Sequence, residues 1–353
     1  MRLALVAAAL VGCSGTTPRD APDELVFVAL EGSGTVGVID ARRGTQIASV
    51  DLTEHAPGEL RLFAPHNVQV DPETRMTWVT APPYQAGGHD HMSMTATASD
   101  ELVGIDEELG LAARIQLGPN QHAAHVVTHG GFAYVTAHAR DAVLVVDLLA
   151  RKVSRRIALP PGSGPHGVRI SQDGETLAVA GLGGSLLIVE TSTGNVESVP
   201  LPSGAVQTAL TADGKVAFAT LHDTHQVARY ELASQRLELW TLPEGAVGPV
   251  QLYLSLDERR VWVADQGASE GEPIGNTLFA LDATTGSVEL VASVGAGPHG
   301  VLVSPTDGLV WVTLLRANAV QALDPDTGAI VMTIPVRANP NGISYWARRS
   351  TLR

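Results

Sequence analysis

Short apolar runs, many alternating with polar residues at a period of two, follow one another along the chain, and turn residues separate them. Runs of this length and period form β-strands with one face buried. Two polar punctuation marks recur among them. The first is a small residue or proline, then His, Gln or Asn, opening an apolar run. It occurs as Gly164-Pro-His-Gly-Val168 and Gly297-Pro-His-Gly-Val301, and in looser form around His66, His122, Gln207, Gln251 and Asn341. These seven positions are separated by 56, 44, 41, 44, 48 and 42 residues. A period of about 42 residues built from short strands defines propeller blades.

The second mark is an acidic residue four positions before Gly or a polar residue: Asp40/Gly44, Asp106/Gly110, Asp147/Arg151, Glu190/Gly194, Glu231/Gln235, Asp282/Gly286 and Asp324/Gly328. Each reads as a β-hairpin turn, with the acidic side chain near the turn backbone and the later residue supplying positive φ. Both marks count seven. Each full repeat holds four strands, in the fourth at about 166–171, 176–181, 185–190 and 195–200. The amino-terminal unit, 24–52, holds three, and one orphan strand, 341–347, ends the chain. Pairing that orphan with the amino-terminal unit gives an all-β, seven-bladed β-propeller of four-stranded blades whose closed ring leaves no edge between its ends. Trp78, Tyr134, Phe218, Trp262 and Trp311 fall 11 or 12 residues after the opening polar residue, where flat side chains fill the wedge between blades.

The segments Tyr134-Val-Thr136, Trp78-Val-Thr80 and Trp311-Val-Thr313, with apolar-Asp hairpins and Gly-Pro-His-Gly openings, resemble the YVTN β-propeller repeat family over about residues 24–347. That resemblance implies a propeller in an exported or surface-associated protein. Streptogramin lyase and lactonase-type propellers are similar at a greater distance. The fold class hosts binding proteins and enzymes alike, so function has to be argued from the site.

Composition changes the picture at the amino terminus. Met1-Arg-Leu-Ala-Leu-Val-Ala-Ala-Ala-Leu-Val-Gly-Cys13 is a basic start with an apolar run too short for a permanent membrane helix. Leu10-Val-Gly-Cys13 matches a bacterial lipobox. Residues 1–12 therefore read as a lipoprotein signal peptide, 13–23 as the lipidated Cys13 and a flexible tether, and 24–353 as the propeller. The expected location is a bacterial membrane, held through the lipid on Cys13, on the periplasmic or cell-surface side. Cys13 is the single cysteine, which leaves the processed chain no thiol for disulfides, thiolate metal sites or nucleophilic catalysis. The net charge of −14 argues against nucleic acid, which requires a basic face. A monomer is expected.

The candidate chemistry is histidine. Ten of the twelve histidines fall on the face carrying the opening residues and the second-to-third strand loops; His125, placed in mid-strand, and His129, in the opposite hairpin, are the exceptions. Around the axis the opening residues read Asn341, His66, His122, His166, Gln207, Gln251 and His299. His66, His122 and His166, with His299, are candidates to bind a divalent transition metal such as copper or zinc, which neutral imidazole ligates without a thiolate, or an anionic small ligand at the axial mouth. The alternative is that these groups hydrogen-bond backbone and water in a wet channel. Asn341, Gln207, Gln251, His138, His222 and His225 are candidate small-ligand contacts on the same face.

An insertion at 82–100 carries His89-Asp-His91-Met92-Ser-Met94, a set of imidazoles and thioethers suited to copper. Nitrous oxide reductase, a copper enzyme with a seven-bladed propeller, also uses histidines at this mouth; the cysteine-containing copper domain of that enzyme has no counterpart here. A second insertion places Asp265, Glu270 and Glu272 at the rim as acid/base or hard-metal candidates. No nucleophile elbow, His-Glu-x-x-His motif or haem motif is present. The reading is a binding module with a His-rich axial face for a metal, small ligand or protein partner. The alternative is a metal-dependent oxidoreductase, lyase or lactonase at the same mouth.

Overall fold

The computed structural model describes residues 22–56, 59–84, 98–268 and 271–348. Cys13, the residues before it, the insertion residues His89, His91, Met92 and Met94, and Glu270 lie outside the described residues. Seven four-stranded antiparallel sheets form the seven blades. Among the described residues, helix is confined to two 3-10 turns, 31–33 and 138–140, and no helix is long and apolar enough to cross a membrane.

Blade one is built from Glu24–Leu30, Thr35–Asp40 and Thr45–Asp51, and the carboxy-terminal strand Pro340–Ala347 pairs with the first of these. Blade four is Pro165–Ile170, Thr176–Gly181, Ser185–Glu190 and Val196–Pro200, each within a residue of the expected span. The closing sheet is latched by Glu24, buried at 4% exposure, which accepts from Tyr345 Oη at 2.6 Å and Thr306 Oγ1 at 3.0 Å and pairs with Arg42. Desolvation alone would raise the pKa of Glu24, but those bonds outweigh it and hold the carboxyl below its usual range.

The seven hairpins behave as turn chemistry requires. Gly44, Arg151, Gly194, Gln235, Gly286 and Gly328 all have positive φ; in blade two that conformation falls on Leu109 instead. Trp78, Tyr134, Phe218, Trp262 and Trp311 are at most 7% exposed and pack between blades.

A feature absent from the sequence-based expectation is a small three-stranded sheet of Glu54–Ala56, Glu59–Phe63 and Pro83–Tyr84 beside blades one and two. Glu101, fully buried, ties this sheet to blade two by accepting from Arg61 at 3.1 Å, Arg114 at 2.7 Å and Gln116 at 2.7 Å. Burying a carboxylate is tolerated only with such complete pairing.

The inner strands fix the axis. Val68, Val126, Val168, Thr208, Leu252 and Val301 each pair with a second-strand residue at the same register step, and Ile343 does so in blade one. Two residues before these come the mouth positions: His66, Ala124, His166, Val206, Val250, His299 and Asn341. The Thr of the repeat explains itself here. Thr136 Oγ1 receives the His125 N–H at 2.9 Å and donates to the His166 carbonyl of the next blade at 2.6 Å. Thr80, Thr220 and Thr313 do the same, bonding to the carbonyls of Ala124, Val250 and Asn341. One hydroxyl thus fastens each of these blades to its neighbour.

Candidate metal centre in the axial mouth

This register corrects the expected ring. His66, His166, His299 and Asn341 occupy mouth positions, but Gln207 and Gln251 stand one residue further along their strands. His122 stands two residues before its blade's mouth position, Ala124. At that earlier position blades four, six, seven and one carry Gly164, Gly248, Gly297 and Asn339, all with positive φ, and His122 adopts the same conformation at φ 48°. It is a connector residue, stacked on His138 with centroids 6.5 Å apart, rather than an axial one.

The histidine that joins His66 and His166 is His125, fully buried, at the position of Gln207 and Gln251. The sequence carried a usable signal: counting back from the apolar run that begins at Val126, instead of forward from the first polar residue, leads to Ala124-His125 and passes over His122.

The inner strands follow a simple rule of space. Where the mouth residue is polar and large, as in His166, His299 and Asn341, the next residue is glycine; where it is Ala124, Val206 or Val250, the next is His125, Gln207 or Gln251. A Cβ on Gly167 would stand 2.1 Å from Gln207 Oε1 and 2.6 Å from Gln207 Cα, so the axis has room for one side chain per blade there. Blade two alone carries both, His66 and Asn67, and Asn67 Oδ1 turns aside to accept Val126 N–H at 3.2 Å.

The result is a cluster of His66, His125 and His166 whose ring nitrogens lie within 4.8 Å of one another. His66 Nε2 and His166 Nε2 are 3.3 Å apart. The surrounding bonds assign the protons. His166 Nδ1–H donates to the Val206 carbonyl at 2.8 Å, leaving Nε2 as acceptor. Asn341 Nδ2 donates to Glu31 Oε2 at 2.9 Å and lies 3.2 Å from His66 Nδ1, so His66 carries its proton on Nε2 and shares it with His166. Gln207 is oriented by Thr208 N–H, which donates to its Oε1 at 2.9 Å; its Nε2 then donates to His125 Nδ1 at 3.2 Å and Gln251 Oε1 at 2.9 Å. His125 Nε2–H and Gln251 Nε2 are left buried without partners.

Desolvation is the main cause that lowers the pKa of both His125 and His166, the latter to about 3, and the mutual repulsion of the histidines adds to it. Both are neutral at physiological pH, the state in which imidazole ligates metal.

The remaining candidates lie around this centre. His299 Nδ1 bonds to Gln266 Oε1, a partner the sequence did not indicate. His222 contacts Asp223 at 2.9 Å and the Gly267 carbonyl at 3.1 Å, and His225 occupies a left-handed turn. None of His122, His138, His222, His225 or His299 belongs to the three-histidine cluster. Asp265 is not a free acid/base group: its carboxylate is 1% exposed and receives Val247 N–H and Gly248 N–H, fixing the connector into blade six. Asp100 and Asp141 fix the next connectors in the same way, through Ala123 N–H at 2.7 Å and Gly164 N–H at 2.8 Å. Glu272 is exposed and accepts Ile274 N–H.

No family model matches the chain, and no curated protein matches its sequence. Solved structures do match. The periplasmic gluconolactonase of Pseudomonas aeruginosa aligns with a TM-score of 0.68 and 20% identity over 92% of this chain and 99% of that one. A streptogramin B lyase aligns with a TM-score of 0.64 and 17% identity over 82% and 91%. The apo form of AztD from Citrobacter koseri aligns with a TM-score of 0.58 and 16% identity over 93% and 98%. At these identities the likeness concerns the fold, and it places the chain in the class of β-propellers.

Proposed function

We propose that this chain is a lipid-anchored, extracytoplasmic propeller that binds a divalent transition metal, zinc or copper, at the axial mouth through His66, His125 and His166. The observation that carries the reading is the convergence of three enclosed imidazoles within 4.8 Å. An all-nitrogen set of this kind suits zinc and copper. The 3.3 Å separation of His66 Nε2 and His166 Nε2 equals the edge of a tetrahedron with metal–nitrogen bonds of about 2.0–2.1 Å.

One ligand has its outer partner in place, and the other two reach theirs by a shift of a proton. His166 Nδ1–H is already held by the Val206 carbonyl. His66 can move its proton to Nδ1, where Glu31 Oε1 stands 3.6 Å away, the carboxylate–histidine pairing that makes a ligand more basic. His125 must also move its proton to Nδ1, and Gln207 must turn its amide to accept it. The export reading is supported by Leu10-Val-Gly-Cys13, and it accords with the periplasmic location of the gluconolactonase among the structural neighbours.

Elemental analysis of the exported protein, purified without chelator, followed by equilibrium dialysis against zinc and copper, tests the proposal. Expected is close to one metal per chain, lost in the His66→Ala and His166→Ala variants. Absence of saturable binding, or variants that bind as the parent does, overturns it. A second reading, a metal-assisted lactonase or lyase at the same mouth, rests on the presence of a gluconolactonase and a lyase among the structural neighbours. Turnover of lactone or streptogramin substrates by the metal-loaded protein, abolished by His299→Ala with metal retained, would favour it.

A further inference from the structure

Beyond the histidines the channel contains an unexpected charge. Alternation along the inner strands places the residue two steps after Gly167, Gln207 and Gln251 on the same axis-facing side, and in blade four that residue is Arg169. Its guanidinium carbon lies 5.7 Å from the centroid of the Tyr253 ring. Tyr253 belongs to blade six, so the contact reaches past blade five and lies in the channel itself. One N–H of Arg169 donates to the Val168 carbonyl at 2.9 Å, and among the described residues the side chain forms no ion pair. It keeps partial solvent exposure, yet its walls desolvate it enough to lower its pKa.

A guanidinium remains charged at every physiological pH, and enclosing one without a counter-charge is costly. The Tyr253 face offsets part of that cost. Two buried donors of the neighbouring inner strands are also without a partner, while Asn341 Oδ1, an acceptor without one, stands at the mouth. Gln251 Nε2 is buried and without a partner because Gln251 Oε1 is taken by Gln207, and His125 carries its proton on an equally unpartnered Nε2. In a chain of net charge −14, a channel lined by unsatisfied donors is a local reversal of sign.

We infer that the axial channel beneath the histidines binds a small oxyanion, a carboxylate or an inorganic oxyanion, on Arg169 and Gln251. A planar fork of N–H groups matches two oxygens of one such ligand, which a spherical halide cannot do. The inference does not rest on the metal reading, because Arg169 and Gln251 suffice for it whether or not a metal takes His125.

The test titrates the full-length protein with acetate and with inorganic phosphate at constant ionic strength, following the thermal midpoint and the heat of binding. A saturable rise is expected, and which of the two probes produces it separates a carboxylate ligand from an inorganic one. Arg169→Met should weaken binding at least tenfold. Without anion it should unfold at or above the parent's midpoint, since the uncompensated charge is gone. Arg169→Lys should bind with intermediate affinity, keeping the charge but losing the fork, and Gln251→Leu should weaken binding several-fold. The two Arg169 variants, which touch none of the histidines or their amide partners, should retain zinc binding, which separates failure of the anion site from failure of the metal centre. No saturable response to either anion beyond the ionic-strength control, or an Arg169→Met response equal to the parent's, overturns the inference. Should Arg169→Met fail to fold, unchanged anion affinity in both Arg169→Lys and Gln251→Leu overturns it equally.

Discussion

Blades two to four and blades five and six meet at one axis with different chemistry. The first group presents His66, His125 and His166; the second presents Gln207 and Gln251 from the position that His125 holds in blade three. An amide has a fixed donor end and a fixed acceptor end, whereas an imidazole can move its proton from one nitrogen to the other. The amide half therefore decides which nitrogen of His125 faces the centre, and it does so from a single backbone bond, Thr208 N–H to Gln207 Oε1. The imidazole half supplies ligand atoms, and the amide half sets the tautomer of His125.

The largest expected effect removes a ligand. His166→Ala should cut zinc affinity by more than about a hundredfold, since loss of an outer partner alone costs roughly 10–100-fold. Equilibrium dialysis measures it, and circular dichroism should show the β-sheet signal intact.

Next comes the spacing between the two halves. Gly167→Ala should destabilise the fold by about 2–3 kcal/mol, because the added carbon meets Gln207 backbone as well as side chain and neither can move cheaply. Urea denaturation reports it, and Gly131→Ala, where nothing lies within 4 Å, is the control for the positive-φ strain that Gly167 lacks.

Gln207→Glu sharpens the comparison in the other direction. A carboxylate at 207 still accepts Thr208 N–H, accepts from His125 Nδ1, and lets Gln251 turn its unpartnered Nε2 toward it. It should raise zinc affinity about tenfold; unchanged affinity would mean that the amide does not control His125.

The smallest effect is on acid stability. Unfolded histidine titrates near 6.5, while His166 resists protonation down to about 3. The unfolded chain therefore binds more protons between those values, so stability should decline as pH falls from about 6.5 toward 3. Asp100, which burial raises to about 6, acts in the opposite sense, because the folded state holds its proton where the unfolded state has lost it. The informative quantity is the difference between parent and His166→Asn, which should shed part of the acid-side decline in thermal midpoint.

The blades, their hairpins and the borrowed closing strand were legible because each depends on local features: alternation, turn chemistry and a repeat that can be counted. The axial site was legible in kind and displaced by one or two residues. His122 and His125 lie in one strand entry three residues apart, and the Gly-Pro-His-Gly pattern favours the first histidine. What distinguishes them is backbone conformation: His122 replaces the left-handed glycine of Gly164 and Gly297, a substitution that no hydrophobic pattern records. Glu31, Gln266 and Arg169 escaped notice for a related reason, since each acquires its meaning from a residue in another blade.

The sequence by itself determined that this is an all-β ring of seven four-stranded units with histidines gathered on one face. Periodicity and turn residues act over a few positions, and the chain spells them out. Only the tertiary structure decided which histidines share the axis, which nitrogen of each carries a proton, and that a lone guanidinium lies beneath them. Those properties depend on separations of 3.3 Å, 3.2 Å and up to 4.8 Å between side chains contributed by blades tens of residues apart. A one-residue shift in strand register, neutral to the pattern of the chain, changes which side chain reaches the centre.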